Sequence, residues 1–309
     1  MPELPEVQTT VSGLQKVLPK LTIKDIWSDL PVKKPSLSHF NDTLKSVSFF
    51  ETFKKNACEA KVVSVERRAK NILINLSNKQ TILVHMKMTG HLLYGKYAYD
   101  KKTNTWFADE DGPLKDPFNK FLHVVFVLSN GKCLVLSDMR KFAKVTLLST
   151  RDAHDSKHLA GLGPEPLEKN FTVQKFIERI SLRPAGRLKS VLMDQTIISG
   201  VGNIYSDEAL WLAGLNPEER IAHIPKAKMN LLYTSVLTVL RKGIDFKGDS
   251  TSDYRNIDGR PGKFSHAHNA YRRTGKPCGK RGCKGVILRK VVGGRSAHYC
   301  SVHQKLLKP

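Results

Sequence analysis

The sequence predicts an α+β multidomain protein: an N-terminal antiparallel β-sandwich with a flanking helix, a helical second domain, and a small C-terminal segment built on a β-hairpin. Three observations predict this fold class. Strand-like segments follow one another without intervening helices up to about residue 150. Apolar residues then recur at helical spacing, and three cysteines cluster near the end of the chain. We expect the domains to span 1–150, 151–265 and 266–309.

The charge of the chain favours a polyanionic partner. Its 309 residues contain 51 Lys and Arg against 28 Asp and Glu, a formal net charge of +23, so nucleic acid is the first candidate. No apolar run approaches the roughly 20 residues needed to cross a bilayer, and the N-terminus lacks a signal-peptide pattern. We therefore expect an intracellular protein that does not bind membranes.

The N-terminal domain is predicted to open with a helix. Apolar residues recur at helical spacing between Val7 and Leu18, and Glu3 and Glu6 lie near the positive end of this helix. Segments with alternating or β-branched character follow and predict strands at 21–27, 60–65, 71–76, 81–85, 122–128, 133–137 and 143–148. Asn130-Gly131 predicts a hairpin turn. Residues 94–120 are polar and turn-rich, and we expect a loop insertion there.

The second domain is predicted to be helical at 171–180, 187–193, 204–213 and 226–243. A long polar loop, 247–263, follows these helices, and loops of that length are often functional. The segment after Asp258 contains no acidic residue, while its many lysines and arginines are interleaved with Tyr271 and Tyr299. This one-signed charge favours contact with phosphates over a solvated basic face.

The C-terminal segment contains a candidate metal site with the spacing Cys278-x4-Cys283-x16-Cys300-x2-His303. Two close pairs joined by a short hairpin suit tetrahedral zinc, and Gly293-Gly294 supplies the bend. A segment with so little core would gain folding energy from the metal. His266, His268 and His298 are competing ligands, and a chance grouping is the alternative.

Two further segments have both a functional and an ordinary interpretation. Gly200-Val201-Gly202-Asn203 between two predicted helices suits a phosphate, but alone it is more simply a tight turn. Removal of Met1 would give Pro2 a secondary amine with a pKa of about 8. Such an amine is a nucleophile that forms a Schiff base with a carbonyl-like carbon, and Glu3 beside it could serve as proton donor or acceptor. From that segment alone, a proline-rich start of a helix is the better interpretation.

The combination of motifs changes this balance. A series of them occurs in one order along nearly the whole chain: Pro2-Glu3-Leu4-Pro5-Glu6-Val7, Arg67-Arg68-Ala69-Lys70, His85-x2-Met88-Thr89-Gly90, Asp138-Met139-Arg140-Lys141-Phe142, Leu162-Gly163-Pro164-Glu165-Pro166-Leu167, Met193-Asp194-Gln195, Ser199-Gly200-Val201-Gly202-Asn203-Ile204-Tyr205, Tyr254-Arg255-Asn256-x-Asp258-Gly259 and Gly294-Arg295-Ser296-x-His298-Tyr299-Cys300. Together they resemble the formamidopyrimidine-DNA glycosylase (Fpg/Nei) family, and specifically its Fpg branch.

The resemblance implies a bifunctional base-excision repair enzyme with a helix-two-turn-helix domain and a C-terminal β-hairpin zinc finger. It implies that Pro2 attacks C1′ of the damaged nucleotide and that β- and δ-elimination then cut the strand. Glu3 would be the general acid/base with Glu6 in support, and Lys70 would contact phosphate and assist removal of the base.

The resemblance also implies residues that hold the DNA. Met88 and Phe142 would fill the space left by a flipped base, and Arg140 would bind the orphaned partner base. Residue by residue, Met88 and Phe142 are better interpreted as core residues on strands, but Arg140 between two apolar neighbours at a strand turn favours the wedge. Asn203 and Arg295 would bind phosphates. The lid over the damaged base would contain Tyr254, Arg255 and Asn256.

The implied substrate is double-stranded DNA that contains 8-oxoguanine, formamidopyrimidines or abasic sites, bound by a monomer with one structural zinc ion in the nucleoid, cytoplasm or nucleus. Alternatives are a Nei-like enzyme for oxidised pyrimidines, a non-catalytic protein on the same scaffold, and a zinc-ribbon RNA-binding protein. The chain departs from the family pattern at the widened Cys278–Cys283 pair, at His303 in place of a fourth cysteine, and at Met139 and Ala143 beside the wedge.

Overall fold

The computed structural model describes residues 1–32 and 41–307, so residues 33–40 and 308–309 of the predicted domains lie outside the described residues. The chain forms two compact units. Unit 1 comprises Met1–Ala160 and Phe246–Lys263, and unit 2 comprises Gly161–Asp245 and Phe264–Pro309. No helix in the described part of the chain is both long enough and apolar enough to span a membrane.

Unit 1 is a sandwich of two antiparallel four-stranded sheets, which confirms the predicted fold class. The strands are β1 (Ile23–Ser28), β2 (Val62–Arg68), β3 (Asn71–Leu76), β4 (Gln80–His85), β5 (His91–Gly95), β8 (Leu122–Leu128), β9 (Cys133–Ser137) and β10 (Lys144–Ser149). One sheet has the order β1-β8-β9-β5 and the other the order β10-β4-β3-β2. Helix α1 (Leu4–Val17) flanks them, and α2 (Val47–Ala57) is a helix that the sequence patterns did not indicate.

The main core lies between the two sheets. Side chains such as Phe126 and Leu136 from one sheet meet Ile72 and Val84 from the other, and each is at most 1% exposed. Alternation along each strand puts these residues on the inner face, as a two-layer sandwich requires. Val7, Val11, Leu14 and Leu18 of α1 join the same core, which explains why their helical spacing predicted the helix correctly.

The prediction of a loop at 94–120 is wrong. This segment contains the end of β5, a hairpin of β6 (Tyr97–Asp100) and β7 (Thr105–Ala108), and two 3-10 turns, Pro113–Lys115 and Pro117–Asn119. It packs on a second apolar cluster of Leu93, Val125, Cys133 and Val135, on the face of the first sheet that points away from the main core. The outer face of β8 and β9 is therefore apolar because the insertion covers it.

Unit 2 consists of α3 (Val173–Ser181), α4 (Leu188–Met193), α5 (Asn203–Ala213) and α6 (Lys226–Asp245), followed by a hairpin of β11 (Ile287–Val292) and β12 (Arg295–Cys300). All four predicted helices are present. Helices α5 and α6 pack closely: a Cβ at Gly243 would lie 2.4 Å from the ring of Tyr205. At the β-turn of the hairpin, Gly293 and Gly294 both have positive φ, as a two-residue hairpin turn requires.

Candidate functional site

The N-terminus of α1 buries two carboxylates beside Pro2. Glu3 and Glu6 are each 1% exposed, and Pro2 is buried. Glu3 is the N-cap residue, and its backbone N–H donates to Oε2 of Glu6 at 2.7 Å. Carboxylates are favoured at this end of a helix because its unpaired amides and dipole attract negative charge. Met1 precedes Pro2, so the nitrogen of Pro2 becomes an amine only when Met1 is removed.

Residues 246–263 of unit 1 contact the same carboxylate. The backbone N–H of Asp249 donates to Oε1 of Glu6 at 2.7 Å, and the Tyr254 hydroxyl donates to the Glu6 carbonyl at 3.0 Å. Gly248 has a φ of +85°, and a Cβ there would lie 3.0 Å from Glu6 Cγ. Burial raises the pKa of Tyr254, so its hydroxyl remains a donor. Glu6 thus joins the start of α1 to this segment.

The three expected lid residues lie within this segment, and two of them are buried. Tyr254 is 4% exposed and Arg255 is 6% exposed. The side chain of Asn256 accepts the backbone N–H groups of Asp258 at 3.1 Å and of Arg260 at 2.9 Å, which closes a turn. All three side chains therefore stabilise the segment itself, and their contact with a damaged base stays a prediction.

Lys70 lies on the turn between β2 and β3, where Ala69 has a φ of +54°. It is only 6% exposed. Arg67 connects this turn to α1: its Nε donates to Oε1 of Gln8 at 2.8 Å, and its Nη1 donates to the Ala69 carbonyl at 3.1 Å. The turn that carries the lysine is therefore held against the helix that carries the two carboxylates.

His85 is a polar group at this site that the candidate residues chosen from the sequence did not include. It is half-buried at the end of β4, opposite Asn71 of β3, and its Nδ1 accepts the N–H of Lys87 at 3.0 Å. Burial and the charges of Lys87 and Lys70 lower the pKa of His85 to about 3. The ring is therefore neutral near pH 7, with Nε2–H as a donor beside a lysine, a combination that suits a phosphate. Its place immediately before the Met88 motif was the available signal.

Two loops of unit 1 expose the apolar side chains expected to form a wedge. Met88 is 37% exposed and Phe142 is 46% exposed, so neither is a core residue. The guanidinium of Arg140 lies 4.5 Å from the centre of the Phe142 ring, a cation–π contact. Exposed apolar groups beside a cation are suited to contact with a stacked, polyanionic ligand.

Asp138 holds these two loops together. It is 1% exposed, and its Oδ2 accepts the N–H of Ala143 at 2.7 Å. Its Oδ1 accepts the Thr89 hydroxyl and, at 3.3 Å, the N–H of Arg140. The carboxylate thus fixes the backbone on both sides of Arg140 and ties it to the residue that follows Met88.

In unit 2, Asn203 is the first residue of α5. The preceding turn is organised by Gln195, whose Oε1 accepts the N–H of Gly200 at 2.9 Å and whose Nε2 donates to the Val201 carbonyl at 2.7 Å. Gly200 has a φ of +87°, a conformation that favours glycine. The turn sets the direction in which α5 begins, and the N-terminus of a helix favours negative charge.

A buried ionic network connects α4, α5 and β12. Lys189 and Asp207 are both 0% exposed; the lysine ammonium donates to Oδ1 of Asp207 and, at 3.3 Å, to the carbonyl of Asn203. Oδ2 of Asp207 accepts the backbone N–H of His298 at 3.0 Å and lies 2.8 Å from its Nδ1. His298 therefore contacts Asp207 through its backbone N–H and its ring, and it is not one of the clustered metal ligands. The charge pattern gave no sign of this network.

Four side chains converge at the base of the hairpin and are able to hold a metal ion: Cys278, Cys283, Cys300 and His303, whose ligand atoms all lie within 4.8 Å of one another. Nδ1 of His303 lies 3.4 Å from Sγ of Cys278 and 3.8 Å from Sγ of Cys283. Tetrahedral zinc would place a nitrogen and a sulfur ligand about 3.5 Å apart and two sulfur ligands about 3.8 Å apart, given bonds of about 2.3 Å to sulfur and about 2.0 Å to nitrogen.

The surroundings of the cluster also fit a metal. Nε2 of His303 lies 3.0 Å from the carbonyl of Trp211, which only accepts, so Nε2 carries the proton and the lone pair of Nδ1 points at the sulfur atoms. Burial lowers the pKa of His303, which keeps the ring neutral. The N–H of Gly285 lowers the pKa of the Cys283 thiol by donating to its sulfur. Arg295 is exposed at the other end of the hairpin, beside the turn.

Comparison with known proteins shows which family this chain matches. Residues 1–145 match the family model described as the formamidopyrimidine-DNA glycosylase N-terminal domain, and residues 162–255 match its H2TH domain. The formamidopyrimidine-DNA glycosylase of Pelotomaculum thermopropionicum is 37% identical over 308 residues, which covers 99% of this chain and 100% of that protein.

The chain belongs to the formamidopyrimidine-DNA glycosylase family.

Other members of the family agree over the full length. The protein of that name from Desulforamulus reducens is 34% identical, with 99% of each chain covered. The structure of Lactococcus lactis Fpg in complex with an abasic site containing DNA has a TM-score of 0.80 and 27% identity, and covers 98% of this chain and 99% of that one. A variant of the same enzyme in complex with a Fapy-dG containing DNA also has a TM-score of 0.80, with 28% identity and coverage of 98% and 100%.

Proposed function

We propose that this Fpg-type DNA glycosylase is bifunctional: it excises oxidised purines, namely 8-oxoguanine and formamidopyrimidines, from double-stranded DNA and then cleaves the strand as an AP lyase. The observation that carries the proposal is the N-terminus, where Pro2 precedes two carboxylates that are each 1% exposed at the start of a helix. The Lactococcus lactis relative bound to Fapy-dG containing DNA supports the choice of substrate.

The reaction begins once Met1 has been removed. The secondary amine of Pro2 attacks C1′ of the damaged nucleotide, the bond from C1′ to the base breaks, and the base leaves with a proton. The C1′–O4′ bond then breaks as the carboxyl group of Glu3 gives a proton to O4′, and the opened sugar becomes an iminium ion at C1′. Loss of a C2′ proton from this ion allows β-elimination, which breaks C3′–O3′, and δ-elimination then breaks C5′–O5′. The carboxyl group of Glu3 exchanges protons with the opening sugar, and Glu6 positions residue 3 by accepting its backbone N–H at 2.7 Å. Lys70 assists departure of the base.

The DNA is held at the site of the flipped base and along its backbone. Met88 and Phe142 fill the space left by the flipped base, and Arg140 binds its former partner. Phosphates are bound by Lys70, by Asn203 at the start of α5 and by Arg295 at the hairpin. If about six phosphates are neutralised, the logarithm of the affinity falls with that of the salt concentration at a slope of about −5.

The remaining properties follow from the same interpretation. The cluster of three cysteines and His303 holds one structural zinc ion, which stabilises a segment whose own core contains few residues. The enzyme acts as a monomer on DNA inside the cell, and Tyr254, Arg255 and Asn256 belong to the segment that covers the damaged base. A preference for oxidised pyrimidines would assign it to the Nei-like branch instead.

Borohydride trapping tests the proposal. The processed protein with an 8-oxoguanine duplex is expected to give a covalent protein–DNA adduct, and Pro2→Gly is expected to lose the adduct and the excision while it still binds the duplex. Arg295→Ala serves as the matched control, because it should weaken binding and reduce the salt slope by about one unit without removing the nucleophile. A processed wild-type protein that binds the duplex and gives neither an adduct nor cleavage would refute the proposal.

A further inference from the structure

The insertion in unit 1 contacts the segment that reaches Glu6. Its second 3-10 turn, Pro117–Asn119, and the residue before it contact Arg255 and Gly259 of that segment. We propose that Asp116, Phe118 and Asn119 are positioning residues for base excision: they hold the 246–263 segment in the conformation that covers the damaged base, and they are not needed for strand cleavage. This inference rests on the proposed function, in which that segment covers the base.

Arg255 makes the central contact. Its Nε lies 3.2 Å from Oδ2 of Asp116, with the two side chains 7% and 24% exposed, and its guanidinium lies 4.5 Å from the centre of the Phe118 ring. Nη1 of the same guanidinium donates to the carbonyls of Ser252 at 3.1 Å and of Tyr254 at 2.9 Å. Because the pair is largely removed from water, its charges are weakly screened. The insertion therefore fixes the backbone on the N-terminal side of Arg255.

Asp116 is itself held in place. Its Oδ1 accepts the N–H of Phe118 at 2.9 Å, as the cap of the 3-10 turn, while Oδ2 faces the arginine. The two oxygens thus have separate tasks. Replacement by asparagine keeps an acceptor of the same shape for the cap and removes the negative charge that Arg255 faces.

Asn119 makes a second, independent contact. Its Nδ2 donates to the Gly259 carbonyl at 3.2 Å and to the Pro113 carbonyl at 2.8 Å, and its Oδ1 lies 2.9 Å from Nε2 of His91. Gly259 has a φ of +79°, and a Cβ there would lie 2.6 Å from the Pro113 carbonyl oxygen. The segment therefore approaches the insertion so closely that only glycine fits, and His91 anchors the contact to β5.

The contacts lead from the insertion to the carboxylate pair. Tyr254 precedes Arg255 and donates to the Glu6 carbonyl at 3.0 Å, and the N–H of Asp249 donates to the Glu6 carboxylate at 2.7 Å. The base of the segment is closed by the N–H of Lys263, which donates to the carbonyl of Phe246 at 2.8 Å. A change at Asp116 thus acts on residues beside Glu6 without touching the nucleophile. A preformed abasic site has no base to cover, so its cleavage does not depend on the segment.

The first experiment compares Asp116→Asn with Asp111→Asn. The control makes the same change in the insertion, at an ion pair with Lys115 in which the aspartate side chain is 97% exposed. For Asp116→Asn we expect kcat/KM for excision of 8-oxoguanine to fall between about 10- and 100-fold, because small displacements of positioning groups have effects of this size. Cleavage of a duplex with a preformed abasic site should be unchanged, and the control should match wild type in both assays.

The second experiment is hydrogen exchange on the protein without DNA, which tests the positioning separately from the activity. In Asp116→Asn the amides of Asp249 and Gly262 should exchange at least about tenfold faster than in Asp111→Asn, as expected when a segment opens locally. Unchanged exchange overturns the inference, and so does an equal loss in excision and abasic-site cleavage. If wild type does not excise 8-oxoguanine, the proposed function fails, and the exchange rates still decide whether Asp116 positions the segment.

Discussion

Replacing Lys189 with methionine should destabilise unit 2 strongly. The lysine is 0% exposed, and its ammonium contacts the equally buried carboxylate of Asp207 and the carbonyl of Asn203. Methionine fills a similar volume but has no charge, so Asp207 would remain buried without its cation. Removing one partner of a buried ion pair costs about 3–5 kcal/mol, because the remaining charge is no longer compensated.

This cost corresponds to a measurable shift in urea denaturation. With a dependence on urea of about 2 kcal/mol per M, a loss of 3–5 kcal/mol lowers the midpoint by about 1.5–2.5 M. Trp211 lies in unit 2 and reports on it if Trp27 and Trp106 are replaced by phenylalanine, since the chain has three tryptophans. Lys290→Met is the matched control: Lys290 pairs with Glu218 at 2.6 Å but is 54% exposed, and an exposed pair contributes about 0–1 kcal/mol.

The comparison of Lys189→Met with Lys290→Met tests whether burial of the ion pair causes the loss of stability. If the effect comes from the buried charge of Asp207, Lys189→Met is far less stable than Lys290→Met in the same background. The reasoning is refuted if the urea midpoints of the two variants agree within about 0.5 M, which corresponds to about 1 kcal/mol. Such agreement would show that burial of the Lys189–Asp207 pair does not stabilise the unit.

Three further predictions concern other parts of the chain. Gly248→Ala should lower the free energy of unfolding of unit 1 by about 1–2 kcal/mol, because φ is +85° and its Cβ would press on Glu6; an unchanged urea midpoint would contradict this. Cys300→Ser should lower the zinc content measured by atomic absorption, whereas Cys58→Ser, outside the cluster, should not. Burial lowers the pKa of His91 to about 4, so the unfolded state binds a proton first, and stability should fall by about 3 kcal/mol between pH 6.5 and 4. In urea titrations at several pH values, His91→Gln should lose this dependence of stability on pH. The same dependence in His91→Gln and in wild type would contradict the prediction.

Elements with one amphipathic face were predictable from the sequence. Helix α1 has its apolar residues at the spacing of a single buried face, and it forms where that spacing indicated. The strands of the two sheets also form where their β-branched or alternating residues indicated, except β5 (His91–Gly95), which the sequence patterns did not indicate. The hairpin β6–β7 and helix α2 were not indicated. The partly buried side chains of the hairpin pack against Leu93 and Val125, which lie on the outer face of the first sheet. The sequence of the hairpin does not show that this outer face is apolar and available for packing.

The C-terminal ligands were predictable because the spacing of their residues is itself the signal. The choice among the histidines was not. His298 lies in β12 between Arg295 and Cys300, yet its ring faces Asp207, and only the packing of β12 against α5 decides this. In the same way, the sequence placed the polar loop 247–263 after the helices, whereas in the structure residues 246–263 belong to unit 1.

The sequence by itself determined the family, the strand and helix periods, and the residue types of the site, because each depends on order and spacing along the chain. The tertiary structure alone decided which groups are buried together: Glu6 with the N–H of Asp249, Arg255 with Asp116, and Lys189 with Asp207. The physical reason is that each pair joins residues of different structural elements, which only the packing of those elements brings together. Their energy depends on removal from water, which is a property of the packed molecule and not of any local segment.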